Sequence, residues 1–195
     1  MLRIVPYPHP ALRHESRPVT QIDDSLRATV REMFDLMYES NGIGLAANQV
    51  GIPLRFFVLN LTADPEQRDQ ERVFINPEIV KRHSSVENEE GCLSLPGLYS
   101  KIRRARKIKV RAYDLDGNPV ELEADDLLGR AIQHETDHLD GRLFIDLLGP
   151  LGRSSINGKV KEIEAGYRKA QAEGVFADDE SIRRQLEEAD RPTAV

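Results

Sequence analysis

Gln133-His134-Glu135-Thr136-Asp137-His138 is the stretch on which the fold and the chemistry of this chain depend. It reads H-E-x-x-H, and two histidines four positions apart lie one turn apart on the same face of a helix. Both imidazoles can then bind one metal ion, with Glu135 beside them to transfer protons. Such a centre makes a metal-bound water nucleophilic near neutral pH, which predicts a hydrolase. The alternative is a polar helix face whose histidines only meet solvent.

The residues around this stretch predict a helix with a buried face. Asp125-Asp126 suits the N-terminus of a helix, and Gly141 suits its C-cap. Glu135 belongs to a helical stripe that is otherwise apolar and comprises Leu127, Leu128, Ala131, Ile132 and Leu139. A buried glutamate is costly unless it has a partner or a function, so the pattern favours the metal site.

The composition excludes several classes of protein. The chain has 195 residues, enough for one domain with a real core and an appendage, and its 39% hydrophobic and 31% charged residues are typical of a soluble globular protein. A net charge of −6 disfavours a general nucleic-acid binder. The sequence contains no apolar run long enough to span a membrane, and the N-terminus lacks the layout of a signal peptide. With a single cysteine and no internal disulfide, a cytoplasmic location is expected.

The N-terminal part predicts an arm, a helix and two strands. The first 20 residues carry four prolines and little periodicity, which indicates an extended arm. Asp23 or Asp24 begins a helix that runs to about Ser40, with a buried face of Leu26, Val30, Met33, Phe34 and Met37. Strands are predicted at 54–60 and 73–76.

A basic stretch at 101–113 predicts a long strand, because Ile108, Val110 and Ala112 alternate with charged residues. Asp116-Gly117-Asn118 makes a turn to a hairpin partner at 120–124. Seven of the eleven residues from 101 to 111 are basic. We interpret them as a solvated strand face in preference to an anionic docking patch.

The C-terminal part divides the chain into a domain and an appendage. The glycines and proline of 148–152 suggest a hinge, and an apolar stripe predicts a helix over 154–172. Residues 175–195 hold six acidic residues against three arginines, which indicates a marginal helix or a disordered acidic tail. We therefore expect a catalytic domain over 1–150, a C-terminal helix over 151–174 and a tail over 175–195.

Cys92 is the candidate for a third metal ligand. A lone cysteine is usually only a small buried hydrophobe. Here it follows Gly91 and precedes Leu-Ser-Leu-Pro-Gly, a sequence that predicts a tight turn able to expose a thiolate. A Cys-His-His set leaves the fourth corner of a tetrahedral site free for water, as a catalytic site requires.

The run of small residues at 42–51 is the third unusual segment. It lacks the Lys-Ser/Thr of a P-loop, and no strand precedes it as a dinucleotide fingerprint requires. Small residues let another backbone approach closely. Gln49 in this apolar run needs a hydrogen-bond partner, and a carbonyl oxygen that becomes anionic is one candidate.

Taken together, the three segments resemble the peptide deformylase family. Residues 42–49 read G-x-G-x-A-A-x-Q, residues 90–94 read E-G-C-L-S, and residues 133–141 read Q-H-E-x-D-H-L-x-G. The three motifs stand in the family's order, and every fixed position is matched. The resemblance covers about residues 1–172, and the tail lies outside it.

The resemblance implies an α+β fold in which antiparallel β-sheets pack around a central helix that carries H-E-x-x-H, with a C-terminal helix added. It implies removal of the N-formyl group from the N-formylmethionine of newly made polypeptides, with release of formate. By position, Cys92, His134 and His138 resemble the family's metal ligands, and Glu135 resembles its general acid/base. Gln49 and the backbone N–H of Leu93 resemble its oxyanion donors.

The resemblance also implies a substrate site. The positions that match the family's methionine pocket are Ile43, Leu127, Arg130, Ala131 and His134. Arg130 replaces a common aliphatic residue; its stem is expected to line the pocket with its head in water, or else to narrow the side-chain preference. Tyr99 stands where some members carry a basic residue that contacts the peptide. Gly44 and Gly91 are expected to offer backbone hydrogen bonds to an extended substrate.

Cofactor and partners follow from the same resemblance. The family typically uses Fe²⁺, although a thiolate with two imidazoles also suits Zn²⁺, Ni²⁺ or Co²⁺. In bacterial relatives the C-terminal helix docks on the ribosome, and the alternative here is a helix that packs on its own domain. Two other functions remain open: a zinc endopeptidase of different specificity, and a structural metal module or nascent-chain binder without catalysis.

Overall fold

Helix α2 (Asp126–Leu139) positions the candidate site in the computed structural model, which describes residues 2–190. It carries the H-E-x-x-H segment, and its residues from Gly129 through Thr136 are all buried. Gly141 follows the helix with φ 68°, and a Cβ on it would lie 2.6 Å from the carbonyl oxygen of Arg13. Glycine is therefore needed both for the left-handed backbone and for the contact with the N-terminal arm. The predicted start of this helix is confirmed; its C-cap is Asp140, and Gly141, the predicted C-cap, is the next residue.

Within residues 2–190, seven β-strands accompany the helices, and α2 packs on the sheet that five of them form. The strands are β1 (Gly44–Ala46), β2 (Phe56–Leu59), β3 (Arg72–His83), β4 (Val86–Cys92), β5 (Leu95–Arg104), β6 (Lys107–Tyr113) and β7 (Pro119–Asp125). Five of them form one sheet in the order β1-β2-β3-β6-β7, and β4 pairs with β5 in a separate hairpin. All of these pairs are antiparallel, and the expected α+β fold is confirmed.

The five-stranded sheet packs between two helices. Ala131, Ile132 and Leu139 of α2 contact a buried cluster that includes Phe57 and Phe74. Helix α1 (Asp24–Glu39) covers other core residues with the predicted apolar face, in which all five members are buried: Leu26, Val30, Met33, Phe34 and Met37. Asp23 caps α1, because its carboxylate accepts a hydrogen bond from the backbone N–H of Leu26 at 2.8 Å.

The prediction of one long strand over 101–113 is wrong. The chain passes from β5 in the hairpin to β6 in the five-stranded sheet, with a break at Ala105 and Arg106. The side chain of Gln133 accepts from Ala105 N at 3.1 Å and donates to Ala105 O at 3.0 Å. These two bonds satisfy the backbone where strand pairing stops, a long-range effect that alternation within the stretch does not contain.

Acidic partners across the strands neutralise most of the basic stretch. Lys101 and Arg103 of β5 lie opposite Glu89 and Glu87 of β4. On β6, Lys107 pairs with Glu123, and Lys109 and Arg111 both pair with Glu121. This arrangement agrees with a solvated strand face; Arg104, which points inwards, is the exception and belongs to the site described below.

Two helices complete the C-terminal part. Helix α3 (Pro150–Ala172) begins inside the predicted hinge, because Pro150 occupies its first turn and Leu148 is buried against the β5 side of the core. The hinge prediction is therefore wrong. Helix α4 (Asp179–Ala189) is formed within the predicted tail, while residues 191–195 of that tail lie outside the described residues. None of the helices in residues 2–190 is both long enough and apolar enough to cross a bilayer.

Helix α4 returns to the N-terminal arm. Ile182 and Leu186 pack on Ala11, which lies in a short 3-10 turn of the otherwise irregular arm (Pro10–Arg13). His9 precedes this turn, and its Nδ1 accepts a hydrogen bond from Ala11 N at 3.2 Å. Its ring makes edge contacts with Tyr167 of α3 and with Phe176.

The burial of His9 predicts a pH-dependent stability. Burial lowers the pKa of His9 from 6.5 to about 4, against the opposing charge of Asp179. Below pH 6.5 the unfolded chain binds a proton that the folded chain does not, so the free energy of unfolding falls until pH 4 and then levels off. We expect His9 to contribute about 1–2 kcal/mol to this fall, less than the full pKa difference because solvent screens the charge.

Urea unfolding of the unaltered protein and of His9→Asn between pH 7 and 4 measures this contribution. Asparagine keeps the capping acceptor but does not titrate, so the variant should show the shallower pH dependence. His83→Asn, at an exposed position, is the control. Parallel curves for His9→Asn and the unaltered protein would contradict the prediction.

Candidate active site

Cys92, His134 and His138 converge on one point. Their ligand atoms all lie within 4.8 Å of one another, and Cys92 Sγ is 3.2 Å from His138 Nε2. Helix α2 supplies both buried histidines. The cysteine ends strand β4, directly before the two-residue turn Leu93-Ser94 that leads into β5. The predicted tight turn is confirmed, and it brings the sulfur to the histidine face of the helix.

The environment of these side chains fits a divalent cation. Burial lowers the pKa of His138, with the charge of His134 acting in the same direction, so its imidazole is neutral as a metal ligand must be. Burial disfavours charge on His134 as well, but hydrogen bonds to Cys92 and Glu90 outweigh it and raise its pKa to about 10. The surroundings of His134 thus favour positive charge. A thiolate with two imidazoles is a donor set for borderline and soft divalent ions.

Glu90 orients His134 from behind. Its Oε2 lies 3.1 Å from His134 Nδ1, which leaves Nε2 for the metal side. Burial raises the pKa of Glu90, but hydrogen bonds from His134 and Arg104 outweigh burial and lower it to about 2. Arg104 donates to Glu90 at 2.6 and 3.0 Å and to Asp137 at 2.6 Å. The sequence analysis missed these roles, although Glu90 and Asp137 stand inside the recognised motifs.

Arg130 does not hold its head in water, so that expectation is wrong. Its side chain is only 8% exposed. The guanidinium donates to Glu90 Oε1 and to the carbonyl oxygens of Ile102 and Val86, at 3.0 and 3.1 Å. An arginine can be buried when its donors are all directed at acceptors, and here these acceptors lie on β4 and β5.

Glu135 lies buried beside the two histidines. Its Oε2 has no hydrogen-bond partner within residues 2–190. Burial raises the pKa of Glu135 to about 7, against the opposing charges of His134 and Arg104. A carboxyl group that titrates near neutral pH can both accept and donate a proton. Its Oε1 lies next to Gly44, where a Cβ would approach to 2.6 Å.

Gln49 also lies at this site, next to Cys92. Its Oε1 accepts from Ala46 N at 2.9 Å, and its Nε2 donates to Ser94 Oγ at 3.2 Å and lies 3.5 Å from Cys92 Sγ. The partner that the sequence required is thus supplied in part by Ser94, which the sequence analysis had not singled out. Asn48, next to Gln49, donates through its side chain to the carbonyl oxygen of His138. The small-residue run and α2 are therefore bonded together at the site.

One cavity of about 840 Å³ opens onto these groups. Tyr99 and Leu127 are 64% and 51% exposed and lie at its rim. Its lining contains all seven residues expected to bind substrate: Ile43, Gly44, Gly91, Tyr99, Leu127, Arg130 and Ala131. Gln49, Cys92, Leu93, His134 and Glu135 line it as well. The structure brings the two sets together, and their individual roles stay predictions.

Known proteins give an independent comparison. A family profile described as Polypeptide deformylase matches residues 1–154. Peptide deformylase of Rhodopirellula baltica is 41% identical over 187 residues, which cover 96% of this chain and 92% of the relative. That of Chromobacterium violaceum is 46% identical over 164 residues, 84% of this chain and 96% of the relative.

Solved structures agree with this result. Peptide deformylase of Plasmodium falciparum superposes with a TM-score of 0.83 at 40% identity, over 86% of this chain and 98% of that one. The enzyme of Legionella pneumophila gives a TM-score of 0.78 at 40% identity, over 88% and 98%. A matching family profile, extensive sequence identity and a shared fold have one explanation: the chain belongs to the peptide deformylase family.

Proposed function

We propose that the protein carries out deformylation at the Cys92–His134–His138 centre, with Glu135 as its general acid/base. Members of this family are metal-dependent hydrolases that remove the N-formyl group from nascent polypeptides. The observation that carries our assignment is the buried Glu135, whose Oε2 lacks a partner within residues 2–190 and which stands beside three converging metal-ligating side chains.

The proposed reaction follows from the residues around the cavity. Cys92, His134 and His138 would hold a divalent metal ion, which would act as a Lewis acid and lower the pKa of water. Glu135 takes a proton from the water while the water oxygen adds to the formyl carbon. Gln49 Nε2 and the Leu93 N–H donate to the formyl oxygen as negative charge develops there. Glu135 then gives the proton to the methionine nitrogen as the C–N bond breaks, which releases a free amine and formic acid, and the acid ionises to formate at neutral pH.

The lining of the cavity supports the proposed substrate contacts. Ile43, Leu127, Ala131 and the stem of Arg130 form an apolar wall for the methionine side chain. Because the guanidinium of Arg130 is held by acceptors on β4 and β5, its stem has a fixed position in that wall. Backbone groups of Gly44 and Gly91 are proposed to bind the extended peptide. A formyl carbon bears hydrogen where acetyl bears methyl, so a narrow site favours the formyl group.

Formate release from formyl-Met-Ala-Ser by anaerobically prepared protein tests this assignment. We expect formate in step with a free amino-terminal methionine, and no cleavage of the same peptide at an internal bond. Cleavage at internal bonds without formate release would favour the endopeptidase alternative.

We propose Fe²⁺ as the native ion. The thiolate and two imidazoles support iron(II) along with zinc, nickel and cobalt. Activity of the iron form should decay in air and persist under anaerobic conditions, and reconstitution with Ni²⁺ or Co²⁺ should preserve it in air. Metal content and formate release measured on the same samples check this. Full turnover by a zinc-only, iron-free enzyme would contradict it.

A methyl group on Gly44 should impair catalysis through Glu135. The added Cβ would lie 2.6 Å from Glu135 Oε1 and 2.7 Å from Leu59 Cδ2, so the carboxylate must shift. Misplacement of a catalytic group by about 1 Å costs up to about 10²-fold, and we expect kcat to fall by about 10- to 100-fold in Gly44→Ala. Steady-state formate release measures the effect.

Gly158→Ala is the matched control for that variant. Nothing lies within 4 Å of a Cβ at this position, which belongs to α3. Its kcat should stay within about twofold of that of the unaltered enzyme, because the added methyl group displaces no neighbouring atom and alanine favours the helical state. Equal kcat values for both alanine variants would show that Gly44 does not set the position of the carboxylate.

We further propose a catalytic domain over 1–150, with the C-terminal helix packed on it. We also propose that the enzyme is cytoplasmic and acts on nascent chains at the ribosome. Ile156 and Ile163 of α3 pack in the core with Leu98, which supports a helix held on its own domain.

Exposed lysines of α3, Lys161 and Lys169, leave a face for ribosome docking. Co-sedimentation with ribosomes should weaken in a Lys161→Glu/Lys169→Glu variant; unchanged co-sedimentation would argue against docking by this face.

A further inference from the structure

The loop between α3 and α4 places an aromatic ring in the active-site cavity. Phe176 lines this cavity together with Ile4, Pro6 and Leu98. The family profile ends at residue 154, so Phe176 comes from a part of the chain that the profile does not include. We infer that Phe176 forms a subsite for an apolar substrate side chain that lies C-terminal to the formylmethionine.

The ring of Phe176 is held in place from several sides. Gly174, with φ 76°, ends α3 and turns the chain, and Arg3 Nη2 then donates to the carbonyl oxygen of Val175 at 2.7 Å. The guanidinium of Arg3 lies over the Phe176 ring, 4.3 Å from its centroid. The ring also contacts His9 and Tyr167, at centroid distances of 5.6 and 5.3 Å. Such a constrained side chain suits a binding surface.

Helix α4 fixes the far side of this loop. Asp179 in its first turn accepts hydrogen bonds from the side chains of Tyr167, Gln171 and Arg168, at 3.1, 2.8 and 2.8 Å. At its other end, Asp190 Oδ2 lies 2.7 Å from His14 Nε2. Through these contacts at its two ends, helix α4 holds the loop that carries Phe176 between α3 and the N-terminal arm.

The same arm connects Phe176 to the catalytic groups. Val5 N donates to Gln49 O at 2.8 Å, and Tyr7 N donates to Ser94 O at 2.8 Å. Ile4 and Pro6, which alternate with these bonded residues, line the cavity together with Gln49 and Phe176. Ile4, Pro6, Leu98 and Phe176 are thus apolar members of the lining of the same cavity as Gln49 and Leu93.

The chemistry of the substrate indicates which part of the peptide lies against the apolar residues near Phe176. The formyl group is the end of the substrate, so nothing extends beyond the metal ligands on that side. Methionine is assigned to the wall of Ile43, Leu127 and Ala131. The wall that contains Phe176 therefore faces the second or third residue of the peptide. Its aromatic and aliphatic surface favours an apolar side chain over glycine.

This inference rests on the proposed deformylation, and three probes test it: formyl-Met-Gly-Gly, formyl-Met-Leu-Gly and formyl-Met-Gly-Leu. For the unaltered enzyme we expect kcat/KM to be at least about fivefold higher with leucine at one of the two positions than with glycine at both. In Phe176→Ala this leucine preference should fall to within about twofold of unity, chiefly through KM, and Phe176→Leu should restore part of it.

Val175→Ala is the control, because Val175 is exposed and its hydrogen bonds with Arg3 and Ala170 are made by its backbone, which the substitution keeps. It should keep the leucine preference, and thermal unfolding should show that the compared variants are folded. An unchanged preference in Phe176→Ala, or an equal loss on all three peptides, would overturn the inference. Absence of formate from every peptide with the unaltered enzyme would instead refute deformylation itself.

Discussion

Glutamine in place of Glu135 should lower kcat for formate release by at least about 10³-fold while the metal content stays unchanged. General acid/base catalysis contributes about 10²–10⁴-fold, and here one carboxyl group is proposed to act in both proton transfers. Glutamine keeps the shape of the side chain beside Gly44 but cannot take a proton from water. Formate release and metal analysis of the same preparation measure both halves of this prediction.

Stability should separate this effect from misfolding. Glu135 is buried, and its Oε2 has no partner within residues 2–190, so a neutral amide removes a desolvated acid without breaking an ion pair. We expect Tm to stay the same or to rise in Glu135→Gln. Glu39→Gln, at an exposed position of α1, is the control and should leave kcat unchanged. Retained activity in Glu135→Gln would favour a structural metal module or a protein that only binds nascent chains.

Glutamine in place of Glu90 should destabilise the protein by about 3–5 kcal/mol and weaken metal binding by about 10- to 100-fold. The carboxylate of Glu90 is 5% exposed and accepts hydrogen bonds from Arg104 and Arg130. Without its charge, two buried guanidinium groups lose a common anion, and only Arg104 keeps another carboxylate, that of Asp137. His134 also loses the acceptor that orients its ring.

Urea unfolding and metal titration against a competing chelator measure these two effects. Glu87→Gln is the matched control, because Glu87 lies on the same strand, is exposed and faces Arg103 across the hairpin. It should change the free energy of unfolding by less than about 0.5 kcal/mol. If both glutamine variants unfold alike and bind metal alike, the buried ion cluster does not support the site.

Local sequence was sufficient where neighbours along the chain decide the structure. The spacing of His134 and His138 placed them on one helix face, because helical geometry fixes which residues four positions apart are neighbours. The apolar period of α1 and the Asp116-Gly117-Asn118 turn were predictable for the same reason. The prediction of one strand over 101–113 was wrong, because the side chain of Gln133 on α2 bonds to the backbone of Ala105, where strand pairing stops.

Recognition of the three motifs predicted the ligand set, and the structure brings these three side chains together and shows their surroundings. Sequence pattern alone named Cys92 only as a candidate, since no periodicity relates a strand end to a distant helix. The tertiary structure decided that Arg130 turns away from water and that Glu90 stands behind His134.

The loop between α3 and α4 is the clearest case of a position that only the fold could reveal. Composition described residues 175–195 as an acidic tail, whereas packing on α3 and on the N-terminal arm brings Phe176 into the cavity. Hydrophobic and ionic contacts between distant segments depend on which surfaces meet in three dimensions. A linear pattern records the character of each surface but not its partner. The sequence therefore named the candidate residues of the centre, while the tertiary structure brought Cys92 to the two histidines and decided which residues line the cavity around them.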